Sequence, residues 1–155
     1  MGIRFQMIQG RGTQDRMRLM AERMKTPFGG NVGPQACLAL RAGVSVQFER
    51  QMYITTTQSS KWPKRKTAKG RKAGSWPILN KTGRLKGDWV NGSIQRIEAK
   101  RIEIGVTVPY AGFHQRGTRR MVARKVGVTP TAVQQIGKLI RDRVLDKTTA
   151  QKAVA

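Results

Sequence analysis

The segment from Pro109 to Gly127 constrains the fold of this chain most, because it joins two elements with clear patterns. Before it, residues 101–108 alternate between polar and apolar side chains, as in a half-buried strand. After it, Thr129 and Pro130 provide a helix N-cap and a proline at the first helical position. The connection between them is too polar for a core and too well flanked for a tail. We expect it to be a surface that docks on another molecule.

The N-terminal half predicts a strand and two helices. Residues 3–8 alternate in polarity and predict a short half-buried strand. From Thr13 to Lys25, methionines recur at helical spacing and predict an amphipathic helix whose methionine stripe packs in the core. Apolar residues recur again from Pro34 to Met52 and predict a second helix of about four turns. Cys37 lies on its apolar stripe and is expected as a small buried side chain; as the sole cysteine it excludes a disulfide within the chain.

The C-terminal half predicts a hairpin and a last helix. Residues 89–97 and 101–108 read as its two arms, and the helix begins after Thr129. The fold class is therefore α+β, with a small antiparallel or mixed β-sheet, an N-terminal strand, two N-terminal helices, a central hairpin, a C-terminal helix and a long basic loop. We expect one domain over residues 1–147 and a flexible tail over 148–155.

The basic loop, predicted over residues 54–77, is the first candidate contact surface. No acidic residue occurs from Gln51 to Gly87, and residues 61–72 contain seven lysines and arginines. Lysine and arginine bind phosphates, and tryptophan stacks on a base or fits a protein pocket. A solvated loop that touches nothing, or a loop that orders on a neighbouring subunit, are the other interpretations. No core periodicity lies in residues 61–72, so we expect the domain to fold without them. The candidate contacts are Lys61, Trp62, Lys64, Arg65, Lys66, Lys69, Arg71, Lys72 and Trp76.

A second basic cluster lies in the polar connection, and its members are Arg116, Arg119, Arg120, Arg124 and Lys125. Arginine takes a carboxylate or a phosphate in a bidentate pair, so this cluster suits an acidic protein or a nucleic acid; a solvated turn is the alternative. The whole chain has 31 basic and 8 acidic residues, a net charge of +23, which favours polyanion or acidic partners. No apolar run reaches the length of a membrane span and no signal peptide is evident, so we expect synthesis in the cytoplasm and no membrane partner.

The residue types of an active site are scarce. The chain has one histidine, His114, which we expect to pack or hydrogen-bond in a turn and not to act as a base. The glycine pairs are not followed by the lysine of a phosphate-binding loop. The acids are scattered singly, at Asp15, Glu22, Glu49, Asp88, Glu98, Glu103, Asp142 and Asp146. The sequence therefore predicts no enzyme, no catalytic or metal-binding residues and no cofactor.

Two local patterns carry a family resemblance. The first is ILNKTGRLKGDW, residues 78–89, and the second is IGVTVPYAGFHQRGTRRMVARKVGV, residues 104–128. In their order and spacing they resemble the virion morphogenesis, or tail-completion, proteins of tailed phages, including the Mu-like members. Lys125 and Val126 stand where the family often has proline and phenylalanine. The resemblance implies a structural turn at Thr82, Gly83 and Leu85. It implies a strand-end motif at Tyr110, Ala111, His114, Gln115 and Gly117, and a re-entry to the last helix at Ala123, Arg124 and Gly127.

This resemblance implies an assembly protein without catalytic activity. Such a protein lies at the head–tail neck or the head-proximal end of the tail, in a homo-oligomeric ring, expected as a hexamer, around the DNA channel. Its partners would be the adjacent neck or connector proteins and the tail-tube proteins, with contact to packaged DNA, in a virion assembled in the host cytoplasm. The alternative is a basic nucleic-acid-binding protein of ribosomal or nucleoid type, for which a steep salt dependence of binding is expected.

Overall fold

A computed structural model describes residues 11–63, 82–92, 94–119 and 122–145. Within these ranges the chain forms five helices and two small antiparallel sheets of two strands each, so the α+β class is confirmed. Several predicted features lie outside the described residues: the strand over 3–8, Lys64, Arg65, Lys66, Lys69, Arg71, Lys72, Trp76, Arg120 and the tail over 148–155.

The two predicted N-terminal helices are present as α1 (Arg11–Lys25) and α2 (Val32–Arg50). Helix α2 ends because Gln51 adopts a left-handed conformation, with φ 52°, and its N–H bonds to the carbonyl of Gln47. The expectation that the methionine stripe of α1 packs in the core is wrong for Met17 and Met24, which are both exposed. Their side chains leave an apolar stripe of α1 facing outward.

A short hairpin occupies the start of the predicted basic loop. Strands β1 (Met52–Ile54) and β2 (Ser59–Lys61) pair antiparallel, with Met52 opposite Lys61 and Ile54 opposite Ser59. The turn between them is closed by the N–H of Thr55, which donates to the carbonyl of Gln58 at 2.8 Å. The prediction of a loop beginning at residue 54 is therefore wrong for residues 54–61, because strands of three residues carry too little alternation to be recognised.

The central hairpin is present but shorter than predicted. Strands β3 (Ile94–Ile97) and β4 (Ile102–Gly105) pair with Ile97 opposite Ile102. Trp89, predicted in the first arm, instead lies in helix α3 (Arg84–Asn91). This helix continues until Gly92, whose left-handed conformation, φ 67°, ends it. Helix α4 (Ala111–Arg116) then follows β4, and α5 (Pro130–Leu145) is the predicted last helix.

The start of α5 follows its prediction in detail. Thr129 Oγ1 accepts a hydrogen bond from the N–H of Ala132 at 3.3 Å, as an N-cap residue does. Thr129 is itself buried against Gly43 of α2, where an added Cβ atom would lie 2.5 Å from its Oγ1 atom. Because glycine at this position permits the close approach, α5 packs along α2.

The core forms around α2 and combines its residues with residues of β1, α3, β4 and α4 and of the segments that follow β2 and β4. Phe48 of α2 packs edge to face on Trp62, with ring centroids 5.3 Å apart. The buried cluster consists of Val44, Phe48, Trp62, Leu85, Val108 and Ala111, with Tyr53, Trp89, Ile104, Val106 and Val126 packed against it. Helix α3, the β4 segment, α4 and the end of the first hairpin are thereby held on one side of α2.

A polar side chain lies at the centre of this apolar packing. Gln47 of α2 is fully buried, and its Oε1 atom accepts the N–H groups of Ile54 at 3.1 Å and Gly127 at 3.0 Å. Its Nε2 atom donates to the carbonyl of Gly127 at 2.7 Å. Residues 122–129, which we call the strap, have no regular secondary structure and lead into α5. One glutamine amide therefore connects α2, the first hairpin and the strap.

We predict that Gln47→Leu lowers the free energy of unfolding by about 2–3 kcal/mol, because it leaves three partly buried backbone groups without their partner at about 1 kcal/mol each. Urea denaturation followed by circular dichroism measures the change. Gln35→Leu is the matched control: Gln35 is exposed on the same helix, so we expect a change within about 0.5 kcal/mol. Equal stability of the two variants would contradict the role assigned to Gln47.

Candidate interaction surface around the strap

The strap joins the two basic clusters that are far apart in the sequence. The indole Nε1 of Trp62 donates to the carbonyl of Lys125 at 2.8 Å, across 63 positions of the chain. The Nε of Arg124 donates to the carbonyl of Pro63 at 3.1 Å. Trp62 and Pro63, the described start of the basic loop, therefore lie beside the basic connection at Arg124 and Lys125.

Helix α4 holds the other side of the strap. The side chain of Gln115 accepts the N–H of Val126 at 3.2 Å, and the backbone carbonyl of His114 accepts the N–H of Arg124 at 2.7 Å. A segment without a strand partner must find other acceptors for its buried N–H groups. The polar residues of the strand-end motif thus supply hydrogen bonds to the strap backbone.

Two of the predicted contact residues are buried. Trp62 is 4% exposed and belongs to the core, so the prediction that it stacks on a base or enters a partner's pocket is wrong for this structure. Its large apolar ring and single N–H are both satisfied internally, by Phe48 and by the strap carbonyl. Arg124 is 6% exposed and its guanidinium reaches inward to Pro63, which corrects its assignment as an exposed contact.

The remaining described candidates are exposed, and they are Lys61, Arg116, Arg119 and Lys125. Lys61 ends β2 directly before Trp62, and Lys125 lies on the strap beside the Trp62 indole. The Arg116 side chain folds back over α4, where its guanidinium lies close to Gly112. We call these four exposed cations the basic face. Whether they contact a partner stays a prediction.

An aromatic pair borders the basic face on α4. Tyr110 lies directly before the helix and packs edge to face on His114, with ring centroids 5.8 Å apart. Phe113 is 53% exposed, which is unusual for so large an apolar side chain. Gly117, with φ 78°, ends the helix and donates its N–H to the Phe113 carbonyl at 2.7 Å. The motif therefore presents the Phe113 ring and part of the Tyr110 ring to solvent.

His114 adds no charge to this region at neutral pH. Burial lowers the pKa of its imidazole, and the positive charge of Arg124 lowers that pKa further. The neutral ring packs on Tyr110 while its backbone carbonyl holds the strap. The expectation of a packing residue is confirmed, but its placement in a turn is wrong, because His114 lies in helix α4. That the histidine takes no part in catalysis stays a prediction.

The Thr-Gly-x-Leu turn positions α3. Gly83 precedes the helix with φ 72° and ψ −15°, a left-handed conformation that glycine adopts readily. Its carbonyl accepts the N–H of Gly87 at 2.8 Å, which starts the helical hydrogen bonds. Leu85 then enters the core, and the hydroxyl of Thr82 lies 3.5 Å from the N–H of Arg84. The turn therefore directs α3 onto the core.

Three carboxylates are engaged within the fold. Asp88 accepts the N–H groups of Thr107 at 2.6 Å and Val108 at 3.1 Å, and so ties α3 to the end of β4. Glu49 accepts a hydrogen bond from Ser45 and pairs with Lys86, and these two contacts lower the pKa of its carboxyl. Glu103 pairs across and along the second hairpin with Arg96 and Arg101.

Sequence reasoning missed the residues that organise the site internally. Gln47 looked like an ordinary polar position beside Phe48, although a glutamine within an apolar helical stripe is a signal that could have marked it. Asp88 was recognised only as an isolated acid, and its bonds to Thr107 and Val108 depend on contacts that no local pattern encodes. Both residues act on the backbone of distant segments.

Within the described ranges, no three His, Cys, Asp or Glu side chains come together in a way that could hold a metal ion. The thiol of Cys37 is buried, and burial raises its pKa. Among the helices described, none combines the length and the apolar character needed to cross a membrane.

Comparison of the chain with protein-family models, curated proteins and solved structures found no match.

We predict that Trp62→Ala lowers the free energy of unfolding by about 3–5 kcal/mol, because it empties a core position and removes the bond to the strap. Thermal or urea unfolding measures this loss. Lys61→Ala is the neighbouring control and should change stability by less than about 0.5 kcal/mol, because Lys61 is exposed. The burial of Trp62 also removes the basis for expecting the domain to fold without residues 61–72. A Trp62→Ala protein as stable as the Lys61→Ala protein would contradict the core position assigned to the indole.

We predict that Gly83→Val destabilises the chain by at least about 1–2 kcal/mol, because a β-branched residue is strained at positive φ. The control is Gly87→Ala in the same helix, where an added Cβ atom meets only Asn91 Nδ2, at 4.0 Å. That change should stabilise by roughly 0.5–1 kcal/mol through helix propensity. A melting temperature below that of the wild type for Gly83→Val and above it for Gly87→Ala would support the assigned geometry. A Gly83→Val protein with an unchanged melting temperature would refute it.

Proposed function

We propose that this chain is a structural protein of a phage virion, located at the head–tail neck or the head-proximal end of the tail. In this proposal it forms a homo-oligomeric ring, expected as a hexamer, around the DNA channel and joins or completes the tail. It acts through contacts with neck or connector proteins, tail-tube proteins and packaged DNA, without catalysis or a cofactor.

The observation that carries the proposal is the scaffold role of the motif residues. Gly83 and Leu85 direct α3 onto the core, while Gln115 and the carbonyl of His114 hold the strap. The residues that carry the resemblance to tail-completion proteins are thus engaged in positioning elements against one another. Such a pattern suits a family united by an architecture and by the surfaces it presents.

Exposed apolar side chains support assembly with copies or neighbours. Phe113 and the α1 methionines are accompanied by several others on the surface: Leu19, Leu38, Val128, Val133 and Leu145. These side chains lie on α1, α2, α4, the strap and α5, and in this proposal those of neighbouring elements form the apolar part of the contacts with copies or neighbours. When copies contact one another head to tail through two different surfaces, they close into a ring if the rotation from one copy to the next divides a full turn into equal parts.

The second candidate is a free nucleic-acid-binding protein of ribosomal or nucleoid type. The net charge of +23 and the meeting of the two basic clusters beside the strap favour it. The two candidates differ in where the protein resides in an infected cell, because a virion protein co-purifies with particles and a nucleoid or ribosomal protein does not.

The test removes this chain from the phage that encodes it and examines lysates by electron microscopy. We expect separate heads and tails, and joined particles when the wild-type chain is supplied from a plasmid. An unrelated protein of similar charge is the control and should restore nothing. Mass spectrometry of purified particles should detect the chain. Complete infectious particles formed without it, or its recovery only with ribosomes or nucleoid, would refute the proposal.

A further inference from the structure

We propose that the basic face, defined above as Lys61, Arg116, Arg119 and Lys125, binds the phosphate backbone of duplex DNA without reading its sequence. The choice of duplex DNA as the ligand rests on the proposed function at a DNA channel. The location of the surface rests on the described contacts alone.

The fold itself assembles this surface. The Trp62 indole donates a hydrogen bond to the Lys125 carbonyl, and the Arg124 guanidinium donates one to the Pro63 carbonyl. These two bonds hold the segment that follows β2 against the strap. Gln115 fastens the end of α4 to the same strap. Lys61, Arg116 and Lys125 are thus attached to backbone segments held by a buried or half-buried neighbour, and such fixed positions reduce the entropy lost on binding. Arg119 lies three residues after Arg116, beyond the end of α4.

Carboxylates are missing from the sequence stretches that build the basic face. No aspartate or glutamate occurs between Glu49 and Asp88, or between Glu103 and Asp142. Among the described residues, none of the four cations forms an ion pair. Counter-charge must therefore come from outside the surface, and a polyanion supplies it by releasing its own bound cations.

The composition of the basic face favours phosphates over protein carboxylates. Two of its members are lysines, whose compact charge suits phosphate contacts without a fixed geometry, whereas recognition of carboxylates favours bidentate arginine. Trp62 is buried and Tyr110 packs on His114. Among the described residues beside this face, Phe113 at 53% and Tyr110 at 37% are the exposed aromatic side chains. The indole of the basic loop is withdrawn into the core, so binding through the four cations predicts a preference for duplex over single strand, and the Phe113 ring is tested separately below.

The test measures binding of the full-length chain to a fluorescent 30-base-pair duplex by anisotropy over a series of salt concentrations. The site variant is Lys61→Gln, Arg116→Gln, Arg119→Gln and Lys125→Gln combined. The matched control is Arg16→Gln, Lys25→Gln, Lys138→Gln and Arg141→Gln, which removes the same charge from exposed positions of α1 and α5. Circular dichroism and unfolding curves confirm that both remain folded.

We expect the slope of log K against log salt to become shallower by roughly 3.6 in the site variant, about 0.9 for each lost phosphate contact. The control variant should keep most of the wild-type slope. Equal losses in the two variants would overturn the proposal, because binding would then depend on net charge alone. Unchanged binding in the site variant would overturn it as well.

Two further probes decide the class of ligand. A single-stranded 30-mer that binds more tightly than the duplex, and loses that advantage in Phe113→Ser, would overturn the assignment to duplex DNA. Polyglutamate of matched charge that displaces the duplex at equal concentration would identify an acidic protein surface as the partner instead. The proposal is supported if the duplex binds more tightly than the single strand and if polyglutamate at equal concentration displaces little of the bound duplex.

The result is separable from the proposed function. A chain that binds duplex DNA through these four residues but is dispensable for joined particles would leave the surface assignment intact and refute the virion role. If the chain is required for joined particles but its basic face does not bind duplex DNA, the virion role stands and the assignment of the DNA-binding surface is refuted.

Discussion

The buried amide of Gln47 is the interaction on which the arrangement of this chain depends most. It satisfies both polar backbone groups of Gly127 and the N–H of Ile54, and these belong to segments that share no sheet. The low dielectric of the core strengthens such bonds and makes an unpaired group there costly. One side chain of α2 therefore bonds to both the first hairpin and the strap, and the Phe48–Trp62 packing and the bond from Trp62 to Lys125 add to this attachment.

The position of the strap explains how a strongly cationic chain concentrates charge in one region. Like charges repel and oppose compaction, so a net charge of +23 needs a core that holds the cationic segments together. The Phe48–Trp62 pair and the bond from Trp62 to Lys125 provide that attachment beneath the surface. The apolar and hydrogen-bonded layer thus carries the stability, while the exposed cations above it remain free of any carboxylate in the described structure and are suited to an external anion.

Periodicity in the sequence predicted the elements whose burial is regular along their length. Helices α2 and α5 and strand β4 repeat apolar residues over enough turns or pairs for the pattern to be read, and the Thr129 cap is a local signal. The first hairpin was missed because each strand has three residues. Trp89 was assigned to a strand because an aromatic residue followed by valine is typical of strands, but it lies in α3. The bond between Asp88 of α3 and Thr107 joins residues distant in the sequence, so no local pattern indicates it. For the same reason the inward orientation of Trp62 and Arg124 could not be predicted from a run of lysines and arginines.

The distribution of polar chemistry in the folded chain bears on what it can do. In the His114–Gln115 pair, the glutamine amide and the backbone carbonyl of the histidine each accept an N–H of the strap. The imidazole is kept neutral by burial and by Arg124, and Asp88 bonds to the backbone of Thr107 and Val108. The side chains of Gln115 and Asp88 thus satisfy irregular backbone that has no sheet or helix partner, whereas the imidazole of His114 packs on Tyr110 and its buried Nδ1 atom makes no hydrogen bond in the described structure. The exposed side chains of this region include the four cations of the basic face and the apolar or aromatic side chains of Tyr110, Phe113, Val122 and Val128. Under the proposed function, this combination of charge and apolar area is what a neighbouring component of the virion would contact.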